Sequence, residues 1–522
     1  MDFTAVAILI VKLVTLSVVI YAGYILSIVV IIPYQKRKYY SQFKNVCVSK
    51  NFNPPMHDLS LMEEKHKQNK HKWSFYLDYI EEGKDIHLSH FGYKRIFDLM
   101  SQRAFEDFDN QIPSKIDKFT DLQELSFAKT FFGALQHSPT NKDWEKRRAV
   151  FTKAIGLNFS SRYISLMIEN CKKMMDTWDE GTEIDFIPEM YKLTLIVISS
   201  ILLGRDFDEK IRMMNYTHLN GEVEVITLYK FFPQLGKDLM AALEMPLNLL
   251  FPTLIRNNIG NVNKTNMKNI QEWRATFHDF LAVTTDEESC YKVILRDHPE
   301  YNKEDLFNDL QGFLFDGYET LAETFCTTIY FLNKKPELYT KVMDELKQED
   351  LGPQENLDKV ITHEKVRDLS YLTMTIKESL RIDPPLARSM HFYAKEDIKI
   401  AGVPLPKGSV MSMCFIARHY DPTIWHKPHE YIPERFDPES EYYYMPGTEK
   451  KARKPLSFVA FSNAIRKCPA PTFAYLELKV FLAYFLGRFE YKVDQKLLDN
   501  EDVRYGILSQ FPLDVKITKK LC

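Results

Sequence analysis

The sequence predicts a mainly α-helical protein with small β-sheets (α+β), preceded by a single N-terminal transmembrane helix. Long proline-free stretches in the second half of the chain predict helices, and an uncharged apolar stretch covers residues 13–32. The 522 residues are 45% hydrophobic with a formal charge of −3, which is a globular balance. This near-neutral charge, without basic tracts, argues against nucleic acid as a partner.

The first predicted element is a membrane anchor over residues 13–32. A cleaved signal peptide is the alternative, but the apolar run is too long for one, and basic residues 36–38 follow it. This basic cluster outweighs Lys12 and predicts that the rest of the chain faces the cytosol. We therefore expect the three sequons, at Asn158, Asn215 and Asn263, to carry no glycan.

Helices and short strands follow in a readable order toward the C-terminus. Residues 303–335 predict one long helix, and Pro336 ends it and opens the next. Further helices are predicted over 368–382 and 469–489, strands over 391–415, and final strand signals over 505–517. Residues 207–270 are very apolar, and they fit either core helices or a membrane-touching cap over an apolar pocket.

The seven cysteines are scattered and contain no CxxC pair, which argues against a disulfide framework or a zinc site. Cys468 differs because Arg466 and Lys467 precede it and an apolar helix follows. Cations and a helix N-terminus both favour a thiolate. By itself, however, such a cysteine is most simply a buried thiol at the start of a helix.

Three motifs in order change that interpretation. Glu378 and Arg381 form an ExxR pair, Arg435 lies in PERF, and Phe461, Arg466 and Cys468 lie in FSNAIRKC. With this set the chain resembles the cytochrome P-450 family of haem-thiolate monooxygenases over nearly its whole length after the anchor. The resemblance implies a P-450-like catalytic domain over 61–522, with 1–38 as anchor and basic flank and 39–60 as connector.

The resemblance implies a role for each matching residue. Cys468 would be the axial thiolate ligand of the iron of haem b, with Phe461 in the same loop. Trp144, Arg148, His391 and Arg466 would bind the haem propionates. Glu378, Arg381 and Arg435 would form a buried structural triad, costly to break because it would leave an unpaired charge.

The segment FDGYETL matches the family's distal oxygen-activation motif on the long helix. Gly317 would allow a close approach to the helix beside the cofactor. Thr320 can donate to the carbonyl of Asp316, four residues earlier, and so open the helix locally. The resemblance implies that Thr320 and Glu319 deliver protons during oxygen activation. Asp316 stands where the family usually has a small residue. Three roles stay open for it: a contact with a polar substrate group, a place in the proton path, or a position that faces away from haem.

The cysteine loop differs from the family's motif in two ways. Ala464 replaces a glycine that normally serves a turn at positive φ, and it should cost on the order of 1 kcal/mol there. Pro469 and Pro471 lack N–H groups, so the sulfur can accept fewer backbone hydrogen bonds. We hypothesise that this lowers the haem potential relative to a homologue with glycine or leucine at position 471.

The predicted activity is insertion of one oxygen atom from O2 into a lipophilic substrate of lipid, sterol or xenobiotic type. The chain has no flavin or nicotinamide motif, so electrons from NADPH must come through a flavoprotein reductase, with a b-type cytochrome as a further donor. Seven cations could steer that partner: Lys142, Lys146, Arg147, Lys451, Arg453, Lys454 and Lys467. The predicted location is the endoplasmic reticulum membrane.

Two alternatives remain. An oxygen-independent haem-thiolate isomerase or lyase would often lack the distal acid and threonine, which are present here. A catalytically silent haem-binding protein finds support only in Ala464 and Asp316.

Overall fold

A computed structural model of the chain describes residues 3–49, 52–68, 72–80, 83–92, 94–119, 135–156, 163–179, 181, 183–205, 207, 213–499 and 513–519. The sequon at Asn158, and residues 505–512 of the predicted final strand region, lie outside them.

Helices account for most of the described residues. In the N-terminal half they are α1 Phe3–Leu26, α2 Ile32–Tyr40, α3 Asp58–Lys67, α4 Leu77–Ile80, α5 Gln102–Asp109, α6 Lys142–Ala154, α7 Ile164–Met175, α8 Phe186–Leu202, α9 Leu228–Glu244, α10 Pro246–Leu250 and α11 Pro252–Arg256. In the C-terminal half they are α12 Asn261–Val283, α13 Cys290–Asp297, α14 Lys303–Lys334, α15 Pro336–Gln348, α16 Leu357–Val360, α17 His363–Asp368, α18 Ser370–Ile382, α19 Phe415–His419, α20 Pro471–Arg488 and α21 Gln495–Asp499.

The strands form four small sheets. They are β1 Val46–Val48, β2 Ile86–Phe91, β3 Lys94–Leu99, β4 Ile116–Lys118, β5 Glu183–Asp185, β6 Met213–Thr217, β7 Val223–Thr227, β8 Phe392–Ala394, β9 Ile398–Ile400, β10 Val403–Leu405, β11 Val410–Met413, β12 Phe489–Val493 and β13 Asp514–Lys519. The largest sheet has the order β1-β2-β3-β11-β8-β4, and β12-β13-β5 form a second. Two hairpins, β9–β10 and β6–β7, complete the set. The predicted α+β class is confirmed.

The long helix α14 crosses the core and carries the central part of the site. It begins at Asn302, whose side chain accepts from the amides of Glu304 and Asp305 as an N-cap. Pro336 opens α15 directly after it, as predicted. Helix α8 packs along α14, and α18 and α20 lie against its C-terminal half. Helix α20 begins at Pro471 rather than at Pro469, so Pro471 takes the first helical position.

The predicted membrane anchor lies in one continuous helical rod. Val6–Tyr40 is long and apolar enough to cross a membrane, with a mean hydropathy of 2.4 in its most apolar window. Within it, Ser27–Ile31 forms a π-helical turn. His57 Nε2 donates to the freed carbonyl of Val29 at 3.0 Å, and Tyr21 stacks on Phe251 at 5.8 Å. The rod therefore contacts the rest of the protein at several places, and Tyr40 at its end also donates to the carbonyl of Pro404 at 3.1 Å.

The β6–β7 hairpin was not predicted. It lies in the apolar 207–270 segment, where the sequence suggested helices, and those helices are α9 to α12. Its turn contains Asn220-Gly221, with Gly221 at φ 89°, a hairpin signal that the prediction overlooked. The side chain of Asn269 on α12 pairs with both backbone groups of Thr217, accepting at 2.8 Å and donating at 3.0 Å. The hairpin is thereby fixed to the helix.

Candidate functional site

The cysteine loop contains the turn at positive φ that the sequence predicted at Ala464. Ala464 has φ 54° and Ser462 has φ 61°, so both lie in the left-handed region. The amide of Cys468 donates to the carbonyl of Phe461 at 2.9 Å and closes the loop. The ring of Phe461 packs against Tyr475 of α20, with a centroid separation of 5.4 Å. The loop thus holds Cys468 just before the first turn of α20.

The sulfur of Cys468 lies in a low-polarity environment. Burial raises the pKa of the thiol to about 11, although the amide of Ala470, 3.4 Å from Sγ, and the charge of Arg148 both favour the thiolate. The expectation that Arg466 and Lys467 stabilise the thiolate is not met. The guanidinium of Arg466 is directed at a neighbouring turn, and Lys467 is exposed. A thiolate here therefore requires a metal cation on the sulfur itself.

That neighbouring turn is formed by residues 135–138, which we call the 135–138 turn. Arg466 donates to the carbonyl of Gln136 at 3.0 Å and to that of Ser138 at 3.1 Å. Trp144 donates from its indole nitrogen to the carbonyl of Leu135 at 3.1 Å. The guanidinium of Arg466 also stacks over the Trp144 ring at 4.2 Å. Two of the predicted propionate donors thus converge on this turn.

Arg148 and His391 complete the predicted propionate set. Arg148 lies over the same Trp144 ring at 5.3 Å and donates to the carbonyl of Lys467, next to Cys468. The backbone carbonyl of His391 accepts from Phe119 at 3.1 Å, while burial and then the charge of Arg388 lower the pKa of its imidazole well below the usual value. A neutral imidazole can donate only one hydrogen bond to a carboxylate.

Lys118 is a buried cation in this region that sequence reasoning missed. Burial, and then the charge of Arg466, lower its pKa to about 7, although Asp316 and Asp117 oppose the shift. Its ammonium lies 4.4 Å from the Phe392 ring centroid. No motif marks this residue, because it lies in a three-residue strand whose partner β8 is distant in sequence.

On α14 the predicted hydroxyl bond is present. Thr320 Oγ1 donates to the carbonyl of Asp316 at 3.0 Å. The carboxylate of Asp316 accepts from the amide of Gln136 at 2.7 Å, and burial raises its pKa to about 6. Glu319 is buried and close enough to Tyr191 and Tyr318 to raise the pKa of both phenols. Glu319 therefore faces protein side chains rather than solvent.

Gly317 lies against the neighbouring helix α8. A Cβ added there would lie 3.0 Å from Cγ1 of Ile198 on α8. This glycine thus allows a close packing contact between two helices, and its predicted contact with the cofactor stays a prediction.

The predicted triad is assembled and fully buried. Arg381 makes two bonds of 2.8 Å to the carboxylate of Glu378, and Arg435 donates to the same carboxylate at 3.0 Å. The remaining donors of Arg381 reach backbone carbonyls of His419, Pro428 and Glu430, and those of Arg435 reach His426, Lys427 and Glu430. Two guanidinium groups thus share one carboxylate, and backbone carbonyls satisfy their other donors.

These residues border an internal space. Cys468, Asp316 and His391 each keep accessible surface although protein surrounds them, and Asp316 is close enough to raise the pKa of Cys468. The cysteine loop and the Thr320–Asp316 segment of α14 therefore lie near each other. Cations Arg148, Arg466 and Lys118 lie at the edge of that space, as two propionates require. The donor set therefore agrees with the implied haem.

Comparisons with known proteins agree with this geometry. The family model described as Cytochrome P450 matches residues 60–512. The chain is 34% identical to rat Cytochrome P450 4F4 (Rattus norvegicus) over 220 residues, which are 42% of this chain and 38% of that protein. It is 28% identical to human Cytochrome P450 4F11 (Homo sapiens) over 66% of each chain. It is 26% identical to the mouse (Mus musculus) protein named Leukotriene-B4 omega-hydroxylase 3 over 68% of this chain and 67% of that protein.

Proposed function

The chain belongs to the cytochrome P450 family, and on this premise we propose that it is a membrane-anchored haem-thiolate monooxygenase. The observation that carries the proposal is that Cys468 lies close enough to Asp316 for that charge to raise the pKa of the thiol, while the carbonyl of Asp316 accepts from the hydroxyl of Thr320 on α14. Haem b would be held by Cys468 and by the propionate partners Trp144, Arg148, Arg466, His391 and Lys118. When bound, it supplies oxygen activation, which an axial thiolate promotes by donating electron density.

The protein residues would control protons. The hydroxyl of Thr320, fixed by the carbonyl of Asp316, is placed to hold a proton beside the space in the middle of α14. Glu319, one residue earlier, is buried near the phenols of Tyr191 and Tyr318, and its part in proton delivery stays a prediction. The triad of Glu378, Arg381 and Arg435 would keep α18 and the following loops rigid beneath the cysteine.

We propose a lipid with a long hydrocarbon chain as substrate. The support is the similarity to a protein named as a leukotriene-B4 omega-hydroxylase. The apolar helices α9 to α12 and the anchor also favour a substrate that partitions into a membrane. Sterols and xenobiotics are the other lipophilic classes that a substrate screen distinguishes.

Reductase-supported product formation tests this function. We expect Thr320→Ala to lower product formation by about 10²-fold or more, since a positioned proton donor contributes about that much. Thr324→Ala is the matched control, because Thr324 makes the same back-bond to Thr320 at 2.7 Å but is buried. Product formation that survives Thr320→Ala would favour the oxygen-independent isomerase or lyase. No product from any lipid, sterol or xenobiotic would favour a silent haem-binding protein.

A separate NADPH-dependent reductase would supply electrons at the face carrying the cysteine loop. Five lysines there are exposed, Lys142, Lys146, Lys451, Lys454 and Lys467, of which Lys454 pairs with Glu106 at 3.2 Å. The steering roles predicted for Arg147 and Arg453 are corrected. Arg147 is buried against Asp309, and Arg453 lies over Trp425 and donates to backbone carbonyls.

Charge reversal of Lys146 and Lys467 to Glu should slow reduction by the flavoprotein about tenfold at low salt, because attraction to an acidic partner is lost. Stopped-flow reduction measures the effect, which should shrink as salt increases. Lys268→Glu on α12 is the control for a surface charge change. Equal slowing in the control would contradict docking at this face.

We also propose the endoplasmic reticulum membrane, with the catalytic domain in the cytosol. Asn263 is buried and bonded to Asn248, so no glycan could be attached to it in this fold. Asn215 is exposed on β6 and is therefore the diagnostic sequon. A glycan there, detected by glycosidase treatment, would overturn the orientation.

A further inference from the structure

We propose that Asp309, Arg147 and Tyr301 form a positioning network that fixes the 135–138 turn and, through it, the guanidinium of Arg466 beside the cysteine loop. None of the three matches a motif used above. The inference rests on the proposed role of the Cys468 loop as the haem site.

The network is compact and buried. Arg147 Nη1 donates to Oδ2 of Asp309 at 2.8 Å, and the phenol of Tyr301 donates to the same oxygen at 2.7 Å. Asp309 is 0% exposed, and the other two side chains are also buried. Asp143 and Asp305 add acidic contacts to Arg147 at 3.0 and 3.9 Å. The network joins α6, the N-terminal turns of α14 and the residue just before α14.

The network also reaches both ends of the 135–138 turn. Arg147 Nη2 donates to the hydroxyl of Ser138 at 3.0 Å. The backbone of Leu135 lies close enough to Asp309 to lower the pKa of that carboxyl. Burial raises the pKa of Asp309 to about 6, whereas Arg147 and Tyr301 lower it, as expected for a carboxylate with specific partners inside the protein. A turn held at both ends presents its carbonyls in one orientation.

Those carbonyls are the acceptors of two residues at the haem site. Trp144 donates to Leu135, and Arg466 donates to Leu135 at 3.3 Å, Gln136 and Ser138. Arg466 is two residues from Cys468. If the turn moves, the guanidinium loses its acceptors and its stacking on Trp144, and the loop loses a tether. Asp309 thus acts on the site through the turn, without touching the cofactor.

Haem retention and reduction potential test this role without any turnover. We expect Tyr301→Phe and Asp309→Asn each to speed haem transfer to an acceptor globin about tenfold, the size of one lost buried hydrogen bond to a charged group. We also expect a lower reduction potential, because a nearby cation favours addition of an electron. Tyr301→Phe keeps the test valid if Asp309→Asn fails to fold.

Tyr491→Phe is the matched control. It removes a buried phenol bond to the carbonyl of Ile329, 2.8 Å long, at the other end of the same helix α14. The folded fraction of each variant is matched by circular dichroism. The proposal would be overturned if the network variants transferred haem to the acceptor globin no faster than the control does. A wild-type protein without the red-shifted carbon monoxide band of a thiolate-ligated haem would instead overturn the proposed function. The two failures are therefore distinguishable.

Discussion

At the scale of single residues, Ala464 shows how a side chain can be tolerated in a glycine position. Its φ of 54° is stabilised by closure of the loop, in which the amide of Cys468 bonds to Phe461. The amide of Ala470 donates to Sγ of Cys468 at 3.4 Å, and the residues on either side of Ala470, Pro469 and Pro471, have no N–H to donate. A small number of backbone hydrogen bonds to the sulfur is the premise from which we predicted a low reduction potential for the haem. Redox titration of Pro471→Gly would test that hypothesis.

Replacement of Ala464 by glycine should increase the free energy of unfolding by up to about 1 kcal/mol, since the Cβ penalty of the left-handed region is removed. Denaturant titration measures it. Ala401→Gly is the control, because Ala401 has φ 49° in the β9–β10 turn and should gain similarly. A loss of stability in Ala464→Gly alone would show that the loop is not strained.

At the scale of elements, two faces of α14 have different neighbours, the internal space and helix α8. Thr320 and Asp316 face the internal space, while Gly317 lets α8 approach closely through Ile198. The helix is continuous from Lys303 to Lys334, and it carries the Thr320–Asp316 bond on one side and a tight helix contact on the other.

The Gly317→Ala variant should be destabilised, because overpacking against Ile198 costs about 1–3 kcal/mol and exceeds the helix-propensity gain of about 1 kcal/mol. In an Ile198→Ala background the same change should become stabilising, which a double-mutant cycle measures. Gly236→Ala on α9 is the control, since its added Cβ would meet Phe315 at an ordinary 3.5 Å. Additive effects in the cycle would contradict the packing role.

Sequence predicted the elements whose signals are local and missed those that depend on distant contacts. The bounds of α14 and α15 follow from Pro336 and the lack of internal proline, and they were predicted within a residue. The three residues of the buried triad were predicted from the order of the motifs, whereas their hydrogen bonds became visible only in the fold. Lys118, Asp309 and Gln136 were missed because their importance arises only where β4, α14 and the 135–138 turn meet.

At the scale of the whole molecule, exposed apolar residues gather around the point where the anchor contacts the protein. Leu247 is 57% exposed and Ile259 49%, near Phe251, which stacks on Tyr21. Leu219 at the hairpin turn is 55% exposed, and its carbonyl accepts from Asn261, two residues from Ile259. This arrangement favours the membrane-touching interpretation of residues 207–270, which stays a prediction.

Leu247→Glu with Ile259→Glu should weaken vesicle binding of a form lacking α1, because charges would enter the lipid interface. Vesicle flotation measures it. Val283→Glu is the control, since Val283 is 57% exposed at the other end of α12, about 35 Å away at 1.5 Å per residue. Equal loss in both variants would show that apolar exposure in general, rather than this surface, binds lipid.

The bond from His57 to Val29 has a practical consequence for producing a soluble form of the protein. Val29, Pro33 and Tyr40 are buried against the globular part, whereas residues 7–24 of α1 are exposed. A deletion that ends after Leu26 removes this exposed segment and, of the contacts described above, only the stacking of Tyr21 on Phe251. A deletion that extends to residue 40 would uncover an apolar groove and leave the imidazole of His57 without its acceptor, and we expect the shortened protein to aggregate during purification.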